Sequence, residues 1–331
     1  MADPSVADVR VDDAGLHLEP GFTGSGDVFF DDHHAWSFSA GEGGRGSDEV
    51  LVEWPKRMTR WLNGSSVVRV VSGDDEIFVG EVTFGDGKGR VEFVDKDGIP
   101  VMIDKWGLLQ RPFSGRDPSV VEQMVEVTSE ILDVMERECG VRGWIAFGTL
   151  LGAAREGRVI GHDSDIDLAY LSEKPTPSEM VTELYDVARA LRRHDLAVQH
   201  KSGSFITVVF KSPDGGTASI DIYTCFHVGD LLYETATVRA PVPRSAIVPL
   251  TELEFEGRML PAPAQPDRML AVSYGRGWRV PDPSFKHTPG PEVVERFDGW
   301  FGSLMRNRRD WERYLADRAA DDDHGPSDFA G

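Results

Sequence analysis

The chain has 331 residues, of which 40% are hydrophobic, and a formal net charge of −21. A chain of this length holds two modest domains, or one domain with a large extension, and its hydrophobic fraction is enough for a sizeable core. Because non-specific nucleic-acid binding depends on basic patches, the acidic balance argues against a nucleic-acid partner.

Signals for membranes and secretion are not seen in the sequence. It has no run of 18 apolar residues, and its first residues are acidic rather than apolar. The two cysteines, Cys139 and Cys225, lie far apart, which favours two reduced thiols over a disulfide. We therefore expect a cytoplasmic protein.

The first third of the chain reads as β structure. Residues 1–26 are polar and predicted to be loosely ordered. Over 27–110, short apolar runs alternate with turn residues such as Gly85–Gly89 and Asp95–Gly98, which is typical of short strands. We predict a small β-rich accessory domain at 27–110, with a helical insertion over Trp54–Leu62.

A change to helix and strand patterns follows a predicted linker, Arg111–Arg116. Asp117-Pro118 has the form of a helix start, with an acidic N-cap and proline in the first turn, and Gly140 ends that helix. A second helix is predicted over Pro177–Arg193. Residues 117–318 are predicted to form the catalytic domain.

The C-terminal part is predicted to be an amphipathic helix over 292–318 and a disordered acidic tail over 319–331. A solvated helix face is the preferred account of the helix's arginines, and contact with an anionic membrane surface or a polyanionic acceptor is the alternative. These are Arg306, Arg308, Arg309 and Arg313.

Three acids at alternate positions point to a metal. Asp163, Asp165 and Asp167 are predicted to share one face of a strand, while Ile166 and Leu168 face a core. Carboxylates within about 14 Å of strand repel one another unless a divalent cation neutralises them. Oxygen ligands favour Mg²⁺ or Mn²⁺, and Mg²⁺ usually works alongside substrate phosphates. A solvated strand end is the alternative.

Two further features add to this pattern. Gly148-Thr149 is predicted to turn the chain before a short helix over Leu150–Arg155, where backbone N–H groups hold phosphate. Asp221 is predicted to lie on a core strand, where a carboxylate is costly unless it is paired or metal-bound. An exposed strand face is the alternative for Asp221, and His227 is an alternative base.

Three segments resemble one family. FGTLLGAAREGRVIGHDSDIDLAYL at 147–171 is similar to the LicD/fukutin signature, which runs G-T-L-L-G-x-x-R, a spacer, then D-x-D-I-D. SIDIYTCF at 219–226 resembles the family's later Asp strand, and the Leu-x-x-x-Tyr-Gly segment at 270–275 resembles its closing segment. The resemblance covers 118–283. Where the family more often has Trp-Asp-Asp, this chain has His162-Asp163-Ser164, so one acid is missing.

The resemblance implies an α+β protein, with a nucleotidyltransferase-like mixed sheet, flanking helices and a preceding small all-β domain. It also implies a Mg²⁺- or Mn²⁺-dependent phosphotransferase that moves ribitol phosphate, glycerol phosphate or phosphocholine from a CDP-linked alcohol donor. The acceptor would be a hydroxyl of a cell-surface glycan or glycolipid precursor, such as a teichoic acid-like polymer at the inner face of the membrane, and CMP would be released.

Site roles follow from the same resemblance. It implies that Asp165, Asp167 and Asp221 are the catalytic and metal-binding acids, with Asp221 completing the metal site or acting as the general base. Two alternatives stay open: a nucleotidyltransferase that adds NMP to a small hydroxyl substrate and releases pyrophosphate, and a non-catalytic glycan-binding protein. The residues expected to contact substrate are Gly148, Thr149, Arg155, Asp163 and Arg276.

Overall fold

The fold is described from a computed structural model, which covers residues 9–40, 49–87, 89–104, 107–234, 238–282 and 285–287. The helix predicted over 292–318 and the tail over 319–331 lie outside the described residues. No helix in the described ranges has both the length and the apolar character needed to cross a bilayer.

The N-terminal part consists of β-strands with one short 3₁₀ helix at Thr59–Trp61. Its strands are β1 (Arg10–Val11), β2 (Gly15–Leu18), β3 (Gly24–Phe30), β4 (His33–Ala40), β5 (Val50–Glu53), β6 (Gly64–Ser72), β7 (Asp75–Phe84), β8 (Met102–Ile103) and β9 (Leu109–Gln110).

Two sheets enclose a core in this part. The order of the larger sheet is β7-β6-β3-β4-β8-β9, and β1-β2-β5 form the smaller one. Leu16 and Leu18 are fully buried, so the prediction of loose order over 1–26 is wrong for these strands. The predicted helical insertion over Trp54–Leu62 is reduced to a single 3₁₀ turn, because the Trp54 ring is buried in the β core.

The rest of the chain mixes helices and strands. Its helices are α1 (Pro118–Cys139), α2 (Phe147–Glu156), α3 (Pro177–Arg193) and α4 (Pro266–Tyr274), with 3₁₀ turns at Phe113–Gly115 and Arg244–Ala246. Its strands are β10 (Gly143–Ile145), β11 (Ile166–Leu171), β12 (Ala197–His200), β13 (Phe205–Lys211), β14 (Thr217–Val228), β15 (Leu231–Glu234), β16 (Val238–Ala240), β17 (Thr251–Phe255) and β18 (Arg258–Ala262).

Helix boundaries follow the predicted signals. The Asp117 carboxylate accepts the Ser119 N–H at the start of α1, and Gly140 ends that helix in the left-handed region. Thr176 caps α3 in the same way. The mixed α+β architecture with β structure ahead of it is confirmed.

One seven-stranded sheet carries this second part. Its order is β10-β11-β14-β13-β12, and β15 and β16 extend from the far end of β14. β11 and β14 are parallel, whereas β13 is antiparallel to β14. Helices α1, α2 and α3 pack an apolar face against this sheet, with residues such as Met124, Leu150 and Leu184 buried.

The segment predicted to be a linker, Arg111–Arg116, is built into the fold. The Phe113 side chain is buried in the core of the second part. The Arg116 guanidinium donates to both carboxyl oxygens of Asp214, at 3.0 and 3.1 Å, and to Ser212 at 2.7 Å. This ion pair ties the segment to the turn between β13 and β14 and holds the pKa of Asp214 well below its usual range.

Replacing Arg116 with Met should lower the stability of the protein by about 3 kcal/mol, because it leaves the Asp214 carboxylate in a nearly buried place without its cation. Urea unfolding measures this change. The double variant Arg116→Met/Asp214→Asn should recover part of the loss. An unchanged unfolding midpoint in the single variant would show that the pair does not stabilise the fold.

Candidate active site

Strand pairing brings the predicted acids together. In the parallel pair β11 and β14, Asp167 lies directly beside Asp221, and Asp165 comes two residues earlier. One carboxyl oxygen from each of the three residues lies within 4.8 Å of the others. The three carboxylates therefore form a cluster at one point on the sheet.

The expectation that all three acids of the 163–167 run share a strand is wrong. β11 begins at Ile166, so Asp163 and Asp165 lie in the loop before it. The backbone of that loop bonds to the 113–114 segment instead of a neighbouring strand: the Phe113 N–H donates to the Asp163 carbonyl at 2.8 Å, and the Ser114 N–H to the Gly161 carbonyl at 2.9 Å. This clamp sets the direction from which the acids enter the cluster.

Asp221 is held from both sides. Its two carboxyl oxygens accept hydrogen bonds from the Thr207 hydroxyl at 2.6 Å and the Tyr223 hydroxyl at 3.0 Å. Burial raises the pKa of Asp221, and these two hydrogen bonds oppose the rise. Burial also raises the pKa of the Tyr223 phenol well above its ordinary value, so Tyr223 stays protonated and donates.

Asp165 has the most unfavourable environment for a negative charge. Burial raises the pKa of its carboxyl well above the usual range, and the charges of Asp163, Asp167 and Asp221 raise it further. A hydrogen bond with Asp163 acts in the same direction. The site therefore holds more carboxylates than it can keep ionised without a cation.

Gly148 and Thr149 hold Asp167. Both are in the first turn of α2, where the Gly148 N–H donates to the Asp167 carboxylate at 3.1 Å. The Thr149 hydroxyl accepts the Asp167 N–H at 2.8 Å. Since these groups already contact the acid, the structure places them as supports for Asp167, whereas the sequence predicted that they hold phosphate.

The absence of a side chain at Gly148 lets the acids approach α2. A Cβ at this position would lie 2.3 Å from Asp163 Oδ2 and 3.5 Å from Asp167 Oδ2. The first distance is shorter than van der Waals contact allows. Glycine is thus required here by the packing of the carboxylates.

A cleft of about 520 Å³ opens over Asp163, Asp165 and Asp167, whereas Asp221 is not among its lining residues. One side of the cleft is aromatic. The rings of Phe205 and Tyr223 stack with centroids 4.9 Å apart. Other aromatic lining residues are Phe147, Tyr274, Phe285 and His287, with ring-to-ring distances of 4.9 to 5.3 Å among neighbours.

A second group of lining residues comes from the β part of the chain. These residues are Ser37, Met102, Asp104, Leu108 and Gln110. Sequence reasoning missed them, because their spacing carries no motif and their approach to the acids depends on how two separately predicted parts pack together. The accessory part predicted over 27–110 therefore supplies lining residues to the cleft that contains the acids.

The predicted basic residues behave differently from one another. Arg155 lines the cleft, and its guanidinium donates to the carbonyls of Val280, at 3.0 Å, and Trp278. It thus holds the segment after α4 against α2. Arg276 is exposed and is not a lining residue of the cleft, and its phosphate contact stays a prediction. His227 bonds to the Val242 carbonyl at 2.9 Å.

Comparison with known proteins fits this geometry. Residues 140–265 match the family model described as LicD/FKTN/FKRP, nucleotidyltransferase domain. These residues form a LicD-type nucleotidyltransferase domain. The matched range runs from the end of α1 to the residue before α4 and contains all three clustered carboxylates. The family recognised from the sequence motifs is confirmed.

Curated relatives of the LicD-type domain carry transferase names. Ribitol 5-phosphate transferase FKRP of Mus musculus is 26% identical over 186 residues, which is 55% of this chain and 36% of that protein. Its Homo sapiens counterpart is 26% identical over 48% of this chain and 32% of its own length. Ribitol-5-phosphate transferase FKTN of Mus musculus is 23% identical, over 56% and 40%. The chain thus spans about a third to two-fifths of these relatives' length.

Among solved structures, the CD-NTase CdnG of Bradyrhizobium diazoefficiens in complex with GTP overlaps the chain only loosely. The overlap covers 46% of this chain and 40% of that one, at 17% identity and a TM-score of 0.27. A TM-score this low supports no inference about the fold or the ligand of this chain.

The carboxylate cluster of the LicD-type domain fits a small divalent cation. Its ligand atoms are all hard oxygens, which suit Mg²⁺ or Mn²⁺. Ligands at about 2.1 Å from a cation can be up to about 4.2 Å apart, so the 4.8 Å spread requires only a small contraction.

Gly148→Ala should reduce the activity of the LicD-type domain by about 10²-fold, because the new methyl group displaces the Asp163 carboxylate, which is hydrogen-bonded to Asp165. Divalent-cation affinity, measured by calorimetry, should fall with it. Gly152→Ala is not a suitable control, since its Cβ meets the Arg158 carbonyl at 2.3 Å. Gly80→Ala, on β7 and outside the cleft, is the control, because Gly80 has no left-handed backbone and an added Cβ there meets only the Phe78 side chain. Wild-type cation affinity in Gly148→Ala would contradict the packing account.

A buried acid lies behind the aromatic side of the cleft. The Glu234 carboxyl accepts a hydrogen bond from the Ser273 hydroxyl at 3.0 Å, next to Tyr274 on α4. Burial raises the pKa of Glu234 to about 7. Because the folded protein prefers the protonated acid, this contribution to stability is complete below the ordinary value of 4.5 and is lost as pH rises through about 7.

Glu234→Gln should therefore remove a pH dependence. Between pH 4.5 and 8 the wild type should lose about 3 kcal/mol relative to this variant, since each pKa unit corresponds to about 1.4 kcal/mol. Urea unfolding at both pH values measures the difference, with the exposed Glu252→Gln as control. Parallel pH profiles for wild type and Glu234→Gln would show that Glu234 ionises normally.

Proposed function

We propose that this protein is a metal-dependent phosphotransferase that moves a phosphorylated alcohol from a CDP-linked donor to a hydroxyl of a glycan or glycolipid acceptor. The observation that carries the proposal is the cluster of Asp165, Asp167 and Asp221 in a LicD-type domain, of which Asp165 and Asp167 line a cleft. The names of the relatives favour ribitol 5-phosphate as the transferred group.

The three clustered carboxylates would hold Mg²⁺ or Mn²⁺. When bound, such an ion supplies positive charge that offsets the phosphate oxygens and the acids themselves. Asp167 is oriented by Gly148 and Thr149, and Asp221 by Thr207 and Tyr223. Because both oxygens of Asp221 accept hydrogen bonds and its side chain does not line the cleft, we assign it a ligand role rather than that of general base.

The charges around the cleft support this dependence on a cation. Five lining residues are acidic: Asp104, Asp163, Asp165, Asp167 and Asp282. Among the described lining residues, Arg155 alone is a lysine or arginine, and its guanidinium bonds to backbone carbonyls. A diphosphate entering this cleft would therefore be repelled unless the acids first bind a cation.

The aromatic side of the cleft suits a nucleoside. Phe205 and Tyr223 offer stacked ring faces next to the carboxylates, and bases stack on such rings. With the cytidine there, the donor's phosphates would lie at the carboxylates. The acceptor would approach them from another part of the cleft, where the β part supplies lining residues.

The proposed reaction is a substitution at phosphorus. The acceptor's hydroxyl oxygen forms a bond to the distal phosphorus of the donor, and the bond from that phosphorus to the bridging oxygen breaks. CMP leaves with the electron pair, and the hydroxyl proton passes to a carboxylate that lines the cleft. The chain's contribution is positioning and charge, since phosphoryl transfer of this kind requires no covalent nucleophile.

Incubation with CDP-ribitol, CDP-glycerol or CDP-choline and Mg²⁺ should release CMP, detected by chromatography. Asp165→Asn and Asp167→Asn should abolish this release and keep the wild-type melting temperature or raise it, because each removes a charge from a repulsive cluster. Asp195→Asn, outside the cleft, is the matched control.

Two outcomes would contradict the proposal. Pyrophosphate release from CTP or ATP with a small hydroxyl substrate, and no CMP from any CDP-alcohol, would indicate a nucleotidyltransferase. Release of CMP at the wild-type rate by Asp165→Asn or Asp167→Asn would remove the carboxylate cluster from the reaction.

A further inference from the structure

The β part of the chain presents a polar surface to the cleft that the reaction at the carboxylates does not use. It consists of Ser37, Asp104 and Gln110, flanked by the apolar side chains of Met102 and Leu108. We refer to these five residues as the β wall. It lines the same cleft as the acids, so a second substrate in the cleft can contact it.

The β wall is rigidly attached to the acid loop. The Gln110 amide donates to Asp104 Oδ2 at 3.2 Å and accepts from the Ser164 hydroxyl at 3.4 Å. The Ser164 N–H in turn donates to Asp163 Oδ1 at 3.0 Å. A continuous chain of hydrogen bonds therefore runs from the β wall to an acid beside the cluster, so a ligand bound by the wall is positioned relative to the acids.

Ser37 is fixed by its own contacts. Its hydroxyl donates to Asp27 Oδ1 at 2.6 Å and lies 3.0 Å from His34 Nε2. The His34 ring meets that of His162, a cleft residue, edge to face at 6.0 Å between centroids. These three residues do not form a hydrolytic triad, because the same histidine nitrogen faces both the serine and the aspartate.

The chemistry of the β wall selects a ligand class. A carboxylate offers about four acceptor sites, and Asp104 uses one for the Leu108 N–H at 2.7 Å and one for the Gln110 amide at 3.2 Å. The Gln110 amide has two N–H donors and gives one of them to Asp104. Each side chain can therefore contact a hydroxyl in addition to its protein partners. Side by side, such an acceptor and donor match two neighbouring hydroxyls, each of which both donates and accepts. None of the five side chains is cationic, so a phosphate or carboxylate group would find no opposite charge on them.

We propose that the β wall binds neighbouring hydroxyls of a neutral sugar or polyol unit in the acceptor, and that Asp104 and Gln110 select this acceptor. That the bound sugar is the acceptor rests on the proposed function. The binding of the sugar itself requires neither donor nor turnover. It gives the β part of the chain a role in choosing the substrate.

Saturation-transfer NMR on the full chain tests this directly. The probes are glycerol, ribitol, methyl α-glucoside, methyl β-galactoside and N-acetylglucosamine, with glucose 6-phosphate and glucuronate as charged comparisons. At least one neutral probe should bind. Asp104→Asn and Gln110→Met should each weaken it by about tenfold, the loss expected for one hydrogen bond to or beside a charged group.

Asp75→Asn, an exposed aspartate on β7, is the matched control and should bind like the wild type. Thermal melting identifies any variant that fails to fold, and the two wall variants change different residues, so one failure leaves the other informative. Binding of charged probes alone, no binding of any neutral probe, or equal affinity in all variants would overturn the inference.

Failure of the proposed function gives a different result. In one outcome, the protein releases no CMP from any CDP-alcohol and still binds a neutral probe in a manner that depends on Asp104 and Gln110. That result would support the sugar site and contradict the proposed reaction. Conversely, CMP release with unchanged acceptor preference in Asp104→Asn would support the proposed reaction and contradict the role of the β wall in acceptor binding.

Discussion

Mutual repulsion among carboxylates is the constraint on which this structure depends. Asp165, Asp167 and Asp221 place oxygens within 4.8 Å of one another, with Asp163 hydrogen-bonded to Asp165. Like charges at such distances are unfavourable, so the surrounding protein has to hold them in place. A parallel strand pair fixes Asp167 and Asp221, α2 contributes an N–H and a hydroxyl to Asp167, and β13 and β14 contribute hydroxyls to Asp221.

Local signals in the sequence were enough to predict much of this arrangement. The N-cap and glycine stop of α1 depend on one or two neighbouring residues, and the apolar pattern of α3 is local as well, so the bounds of both helices were predicted closely. The clustering of Asp165, Asp167 and Asp221 was expected from the family motif and is what the structure shows. The chemical roles of these acids remain predictions.

The features that the sequence did not predict depend on contacts between distant segments. Alternation of acids and apolar residues over 163–168 suggested one strand, but backbone bonds to Phe113 and Ser114 keep the first acids in a loop. The 111–116 segment looked like a linker because a buried Arg116 is recognisable only when Asp214 is seen beside it. In the same way, no motif near Asp104 indicates that it lines the same cleft as Asp163 and Asp165, about 60 positions later.

The clamp between residues 113–114 and the acid loop has a consequence for motion. The same short segment joins the two parts of the chain and holds the backbone that carries Asp163 and Asp165. Any movement of this joint away from the second part would also shift the acids. The cluster therefore stays assembled only while the joint stays in place.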